Sequence, residues 1–344
     1  MQEALLGKTL NELTALAKGF GLPSFTGKQM ADWLYKKHVG TVDEMTTLSK
    51  AARALLNEKF QIGSQAYSTV QTAADGTRKY LFPAADKQAV DAVVIPEAER
   101  ATLCVSSQVG CRMGCRFCMT ARQGFQAQLS AGEIINQFRS IDERGQLTNA
   151  VYMGMGEPMD NLDEVLKSLS ILTAPWGFGW SPRRITVSTI GVLPALGRFL
   201  DKSECHLAVS LHTPFDEERQ ALMPMQKAYP LEEVIALIRQ YDWTGQRRVS
   251  FEYILFDRLN DSHRHAIALA KLLDRLECRV NLIRFHAIPD SPLLPALESN
   301  VEKFRNSLMG KGVMTTVRAS RGEDILAACG LLSTKIAGCK AGNE

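Results

Sequence analysis

The sequence predicts an α/β protein: about six βα units in an open or closed barrel, behind a small helical N-terminal unit and a β-hairpin. Three observations predict it. Strand-like and helix-like segments alternate from about residue 100 onward, the first 60 or so residues keep a helical period, and residues 65–95 switch to strand-like alternation around Asp75-Gly76.

Each element has its local reason. Within residues 1–62, Leu10, Leu13, Leu16 and Ala17 repeat at helical spacing and stop at Gly19 and Gly21. Two further helices are expected near residues 28–38 and 49–59. Residues 63–98 carry the hairpin or short meander, a linker between the helical unit and the barrel. In residues 99–344 the strand candidates are ATLCVSS, NAVYMG, RRITVST, CHLAVSLH, RVSFEYILF, RVNLIRFHAI and MTTVRAS. Helical stretches such as SAGEIINQFRSIDERG, NLDEVLKSLSIL, PLEEVIALIRQY, DSHRHAIALAKLLDRL and ESNVEKFRNSLMG lie between them. Such repeats imply a parallel sheet clothed by helices, with chemistry at the C-terminal ends of the strands.

Composition narrows the class. The 344 residues are 45% hydrophobic and carry 40 Lys+Arg against 37 Asp+Glu, a net charge of +3. This is a soluble globular composition, and no run nears the ~18 apolar residues of a membrane span. The N-terminus has an early acidic residue, Glu3, and no apolar segment of the signal-peptide kind. A cytoplasmic protein without a membrane partner is expected. The charge neither demands nor excludes a nucleic acid.

Eight cysteines stand out: Cys104, Cys111, Cys115, Cys118, Cys205, Cys278, Cys329 and Cys339. In a long chain able to bury its own core, clustered cysteines point to metal binding or catalysis rather than a disulfide scaffold. Cys111, Cys115 and Cys118 form C-x3-C-x2-C just after the first barrel strand. Three thiolates on one short loop suit three corners of an iron–sulfur cubane. A zinc site is the competing reading, but no fourth ligand lies at finger-like spacing. Arg112, Arg116 and Arg122 make the loop basic, with no acidic residue between Arg100 and Glu133.

With an aromatic residue, Phe117, just before its third cysteine, this motif resembles the radical S-adenosylmethionine (SAM) superfamily. The resemblance implies a 4Fe–4S cluster whose open iron is chelated by SAM, and a 5′-deoxyadenosyl radical formed on one-electron reduction. It also implies that the α/β barrel is the partial (β/α)6 barrel of that superfamily. In NAVYMGMGEP, Gly156 lets backbone approach a ligand and Glu157 offers a carboxylate; the resemblance assigns this pair to the SAM amine. Ser188, and Ser210 with Leu211 and His212, end the next two strands, and His286 ends a later one; these are the remaining candidate SAM contacts. His206, His263 and His265 receive no role.

Four segments in the same order, ATLCVSSQVGCRMGCRFCMTARQGF, YMGMGEP, SLHTP and VRASRGEDILAACG, resemble the dual-specificity RNA methyltransferases that act on adenine C2 in 23S rRNA and tRNA. Adenine C2, an electron-poor carbon, cannot attack a sulfonium methyl directly. The resemblance implies that Cys329 first takes a methyl from one SAM, and that the radical from a second SAM removes hydrogen from it. The resulting carbon adds to C2. Loss of the C2 proton then lets Cys104 close a transient disulfide with Cys329 and free the product. The family's proton acceptor is a glutamate where this chain has Asp91, with Glu97 as the fallback. Another departure is His286, where the family carries asparagine. A reductase or flavodoxin-type electron donor is implied as partner. RNA contacts are expected from Lys28, Lys36 and Lys37 and from Lys335 and Lys340. Alternatives left open are the related enzyme methylating adenine C8, which confers antibiotic resistance, and a non-catalytic zinc-dependent RNA-binding module. No role is given to Cys205, Cys278 or Cys339.

Overall fold

A computed structural model describes residues 2–84, 87–245 and 247–334. Strand β1 (Glu3–Ala4) leads into helices α1 (Leu10–Gly19), α2 (Phe25–Tyr35) and α3 (Lys50–Lys59), and then into β2 (Phe60–Gln61), which pairs in parallel with β1. Helix α1 begins where its sequence says it should. Thr9 accepts the Glu12 N–H at 3.3 Å and the Glu12 carboxylate accepts the Thr9 N–H at 2.7 Å, a reciprocal cap. Its apolar stripe, with Met30 and Leu34 of α2, belongs to the same buried core as Leu103 and Val187 of the sheet.

The hairpin expected at residues 63–98 is β3 (Thr69–Thr72), β4 (Arg78–Pro83) and β5 (Ala89–Glu97), all antiparallel. It is hydrogen-bonded into the main sheet, because β5 pairs with β6 (Arg100–Cys104). After β6 come a small pair, β7 (Gln108–Val109) and β8 (Ala127–Gln128), which flank α4 (Met119–Gln123). The chain then alternates: α5 (Ala131–Arg139), β9 (Asn149–Tyr152), α6 (Leu162–Thr173), β10 (Ile185–Thr189), α7 (Leu193–Lys202), β11 (His206–Ser210), α8 (Asp216–Leu222), α9 (Leu231–Ile238), β12 (Val249–Leu255), α10 (His263–Leu272), β13 (Cys278–Arg284), α11 (Glu298–Met309) and β14 (Met314–Val317).

The sheet runs β14-β13-β12-β11-β10-β9-β6-β5-β4-β3. All seven expected barrel strands are present, and each pairs in parallel with its neighbour. The outer strands β14 and β3 do not meet, so the barrel is partial, as expected. The segment after β14 bridges the gap: Gly322 N–H donates to Asp75 Oδ2 and Ala74 N–H to Asp324 Oδ2, each at 3.0 Å, while Lys79 donates to the Ile325 carbonyl. This strap carries Cys329 across the sheet. Lys335, Cys339 and Lys340 lie outside the described residues. Among the described residues, no helix is long and apolar enough to cross a membrane.

Candidate active site

The loop between β6 and α4 is held by buried side-chain amides. Gln137 accepts the Ser106 N–H and donates to the Ser106 carbonyl, both at 2.9 Å. Asn161 donates to the Ser107 and Leu129 carbonyls at 2.8 and 2.7 Å, and Gln108 accepts the Glu157 N–H at 2.8 Å. These bonds clamp the cysteine loop to the Gly-Met-Gly-Glu turn after β9. Two glycines are indispensable, one where the cysteine loop closes on its own far end and one where the turn meets Gln108. At Gly110 a Cβ would fall 1.7 Å from the Gly124 carbonyl oxygen; at Gly156, φ +99°, it would strike the Gln108 side chain at 2.5 Å.

A cavity of about 150 Å³ forms at the C-terminal ends of the strands. Its walls bring together Cys111, Cys115, Cys118, Gly156, Glu157, Ser188, Ser210, His212 and Cys329. Burial pushes the Cys111 thiol up to about 12, raises Cys118 and raises Cys115 well above the ordinary range; the charges of neighbouring thiols add to the shifts of Cys111 and Cys115. Three adjacent soft donors that burial keeps protonated become thiolates when a metal takes the protons' place. This donor set therefore fits a cluster. Among the described residues, no three His, Cys, Asp or Glu side chains converge on one point as a single ion requires; a cubane, which takes one thiolate per iron, does not ask it of them.

Glu157 closes the cavity's other wall. Its two oxygens accept the Met159 N–H at 3.1 Å and the Ile190 N–H at 3.0 Å, and burial raises its carboxyl to about 7. His212, in a left-handed backbone conformation, accepts the Ile254 N–H on Nδ1 at 3.0 Å, so the ring hydrogen sits on Nε2. Burial, then the Arg219 charge, lowers its pKa to about 3, which keeps the ring neutral. Leu211 does not reach this cavity: its side chain is fully buried in the core, as strand alternation demands between Ser210 and His212.

A second cavity, about 590 Å³, lies beside the first. Cys329 borders both. Cys104 also lines the second, and burial followed by the charge of Cys329 pushes its thiol up to about 12. Desolvation raises the Cys329 thiol as well, opposed by the Arg318 guanidinium. Arg318 is itself held by Glu252, with its Nε 3.4 Å from Glu252 Oε2. Sequence reasoning missed both residues; their signal was alternation, which turns Glu252 of β12 and Arg318, just beyond β14, to the barrel interior.

His286 and Asp91 lie outside the first cavity. His286 lines the second cavity, not the first, with Nδ1 3.1 Å from Glu323 Oε1. Asp91 lines neither. It lies on the face of β5 that carries Val93, the register partner of Cys104, and it is covered by the strap, where the Ser333 N–H bonds its carboxylate. Burial raises Asp91 to about 6 although Lys79 and that N–H oppose the shift, and its Oδ2 has no hydrogen-bond partner. Glu97 does line the second cavity, paired with Arg100. Cys205 is buried in the core and Cys278 packs against it. On the N-terminal unit, Lys36 and Lys37 are both within 4 Å of Asp32, at 3.7 and 3.8 Å.

Residues 105–270 match the family model for the radical SAM superfamily, and residues 4–62 match that for the ribosomal RNA large subunit methyltransferase N-terminal domain. A protein of Parabacteroides distasonis named probable dual-specificity RNA methyltransferase RlmN is 59% identical over 96% of each chain. The chain belongs to the dual-specificity RNA methyltransferase family. A member from Syntrophus aciditrophicus is 42% identical over 95% of each chain. A crystal structure of a radical SAM methyltransferase from Sphaerobacter thermophilus superposes with a TM-score of 0.90 at 39% identity, covering 96% of this chain and 99% of that one. Family membership makes this chain a radical SAM enzyme whose cofactors are a 4Fe–4S cluster and SAM. It overturns the zinc-dependent, non-catalytic alternative.

Proposed function

We propose that the chain methylates C2 of adenosine in 23S rRNA and tRNA, with Cys329 as the methyl carrier and Cys104 as its resolving partner. The observation that supports this most is the position of Cys329 in the common wall of two cavities, one shared with the cysteine loop and the other with Cys104. A carrier must face its methyl source and its acceptor in turn.

When bound, the cluster supplies the electron that cleaves the SAM sulfonium, and so a radical able to abstract hydrogen. Cys111, Cys115 and Cys118 are the residues that would hold the cluster, through their thiolates. Gly156 admits the SAM amino group close to the backbone and the Glu157 carboxylate accepts its N–H. Ser188, Ser210 and the His212 Nε2–H point polar groups at the remaining ligand. Cys329 carries the methyl as a thioether, near the positive charge of Arg318, which favours the thiolate that must first form. Asp91 takes the C2 proton on the Cys104 face of β5. Cys104 then attacks the Cys329 sulfur, which breaks the bond from that sulfur to the transferred carbon and leaves a Cys104–Cys329 disulfide for the electron donor to reduce before the next turnover. His286 belongs with the RNA-facing cavity in this reading. Residues 1–62 form an accessory RNA-binding unit, 63–98 the hairpin and 99–344 the catalytic part. A reductase or flavodoxin-type protein donates the electrons, in the cytoplasm where these RNAs are made.

The test is peptide mapping together with nucleoside mass spectrometry. Cys329 is expected to be methylated after exposure of the cluster-loaded enzyme to SAM, and 2-methyladenosine to accumulate in the RNA. An unmethylated Cys329 sinks the carrier role; 8-methyladenosine as the main product reassigns the chain to the C8 enzyme.

A further inference from the structure

The N-terminal ends of four adjacent barrel strands carry a row of arginines that the proposed mechanism does not use. Register sets them side by side. Thr186 of β10 pairs with His206 of β11, Leu207 with Val249 of β12, and Val249 with Cys278 of β13. Arg183 and Arg184 therefore precede β10, Arg248 precedes β12 and Arg279 is the second residue of β13, all at one end of the barrel. The four are exposed, and none has a carboxylate partner among the described residues. Arg248 N–H donates to His206 Nδ1 at 3.1 Å, which places His206 in the middle of the row. After burial, the charges of Arg248, Arg247, Arg183 and Arg279 all act to keep that ring unprotonated. Neighbouring Arg247 is different: it is committed to the Leu200 and Cys205 carbonyls at 2.8 and 3.1 Å.

Four uncompensated guanidinium groups on one rim repel one another, so they mark a surface that meets anions. The rim is continuous with the larger cavity. Arg184, Thr186 and Asn149 line that cavity at the strand beginnings, and Cys104 and Cys329 line it further in. At about 590 Å³ it lies within the range that admits a small ligand, such as one unstacked nucleotide. We propose that this N-terminal rim binds the phosphodiester backbone of the substrate RNA, and that the larger cavity leads the target nucleotide from it to Cys329. The proposal rests on the RNA-methylating function. An acidic electron-transfer protein is the other polyanion a basic rim suits, but the geometry disfavours it. At about 3.3 Å per residue the strands set the rim some 20 Å from the cysteine loop at their opposite ends, whereas a donor gains by docking beside the cluster.

The experiment compares the cluster-loaded full chain with its Arg183→Gln/Arg184→Gln/Arg248→Gln/Arg279→Gln variant. The probe is a fluorescently labelled, unmodified tRNA transcript, titrated by anisotropy across a series of salt concentrations. The variant is expected to bind about 100-fold more weakly at low salt, and its slope of log K against log salt to be shallower by about 3, as four lost phosphate contacts require. Arg→Lys at the same four positions keeps the charge and is expected to keep most of the slope. Two double variants, Arg183→Gln/Arg184→Gln and Arg248→Gln/Arg279→Gln, divide the effect and guard against a misfolded quadruple variant. Cys329 methylation by SAM without RNA reports that the cluster side is intact. Unchanged affinity and slope in the variants, with the parent methylating tRNA normally, overturn the rim alone. Normal tRNA binding combined with lost reduction by flavodoxin hydroquinone, but not by dithionite, overturns it in favour of a protein dock. A parent that neither methylates Cys329 nor binds tRNA overturns the enzyme reading beneath it.

Discussion

The two cavities that meet at Cys329 are built on opposite principles. The smaller one is pre-bonded. Glu157 spends both oxygens on backbone N–H groups, His212 is fixed by Ile254, and the loop that carries the cysteines is clamped by Gln108, Gln137 and Asn161. The larger one is lined by charged side chains with solvent-facing ends: Arg184 is exposed, and Arg100 and Arg284 pair with carboxylates at the surface. Fixed donors in a tight space suit a ligand of one shape, whose reacting atoms must be held to within fractions of an ångström. Long cations at an open mouth suit a polyanion that arrives, is turned over and leaves. The difference places the chemical precision on the cluster side and the affinity on the RNA side.

Among the described residues Cys329 is the one cysteine common to both, so its loss is expected to have the largest effect. Cys329→Ala abolishes methylated RNA by nucleoside mass spectrometry, while tRNA affinity stays within about twofold, because the arginines that hold phosphate are untouched. Cys104→Ala, which removes only the resolving thiol, is expected to trap a covalent protein–RNA adduct visible on a denaturing gel. Free product from Cys104→Ala breaks the pairing of these two residues.

Next in size is Cys118→Ala. The variant is expected to lose most of the roughly four irons per chain of the parent, with its brown colour, and all methylation, yet to keep the parent's tRNA affinity. Iron content and anisotropy measured on the same sample decide it. A parallel loss of RNA binding means that the two cavities do not act independently.

How far the sequence reaches depends on whether a feature is local. Periodicity located all seven barrel strands, because each is a short run whose alternation and flanking turns are self-contained. The cysteine loop was equally legible, since three cysteines within eight residues need no tertiary contact to be noticed. The α1 stripe of Leu10, Leu13, Leu16 and Ala17 was legible for the same reason, whereas its Thr9–Glu12 cap went unread although it too is local. What else the sequence did not reveal depends on distant chain. Arg318 matters through Glu252, 66 residues before it, and through the strap that sets Cys329 beside it. His286 lies two residues beyond β13, whereas Ser210 is the last residue of β11, and it faces the other cavity, towards Glu323. The arginine rim was invisible for the same reason: Arg184, Arg248 and Arg279 become neighbours only through strand register, and a net charge of +3 hides them.

Asp91 tests a position outside both cavities, because it lies under the strap on the face of β5 that carries Val93, the register partner of Cys104. As the acceptor of the C2 proton its removal is expected to cost about 100-fold in turnover, the usual scale for a general base. Asp91→Asn is the variant to measure, in single-turnover methylation of tRNA, with Glu97→Gln beside it. Asp91→Glu adds a methylene and reaches further from the same strand, so it is expected to match or exceed the parent. A larger loss in Glu97→Gln than in Asp91→Asn moves the base to the RNA side.

The smallest expected effect is a pH dependence confined to the cluster side. Burial raises the Glu157 carboxyl from its ordinary 4.5 to about 7. Linkage fixes the sign. Its protonated form suits the buried site, so this group's contribution to the stability of the ligand-free protein is full below about pH 4.5 and is lost as pH rises to about 7. The ionised form, however, is the one that accepts an N–H from the SAM amino group. SAM affinity is therefore expected to rise as pH climbs through about 7, and to fall up to tenfold for each unit below it. Glu157→Gln keeps the shape and removes the titration. Its SAM affinity, measured by equilibrium dialysis on cluster-loaded protein between about pH 6 and 8, is expected to be weaker and flat, whereas tRNA affinity over the same range is the same for variant and parent. A parent whose SAM affinity does not change across that window denies Glu157 its contact with the amino group, and leaves the carboxylate to the Met159 and Ile190 N–H groups and the Thr189 side chain that it already holds.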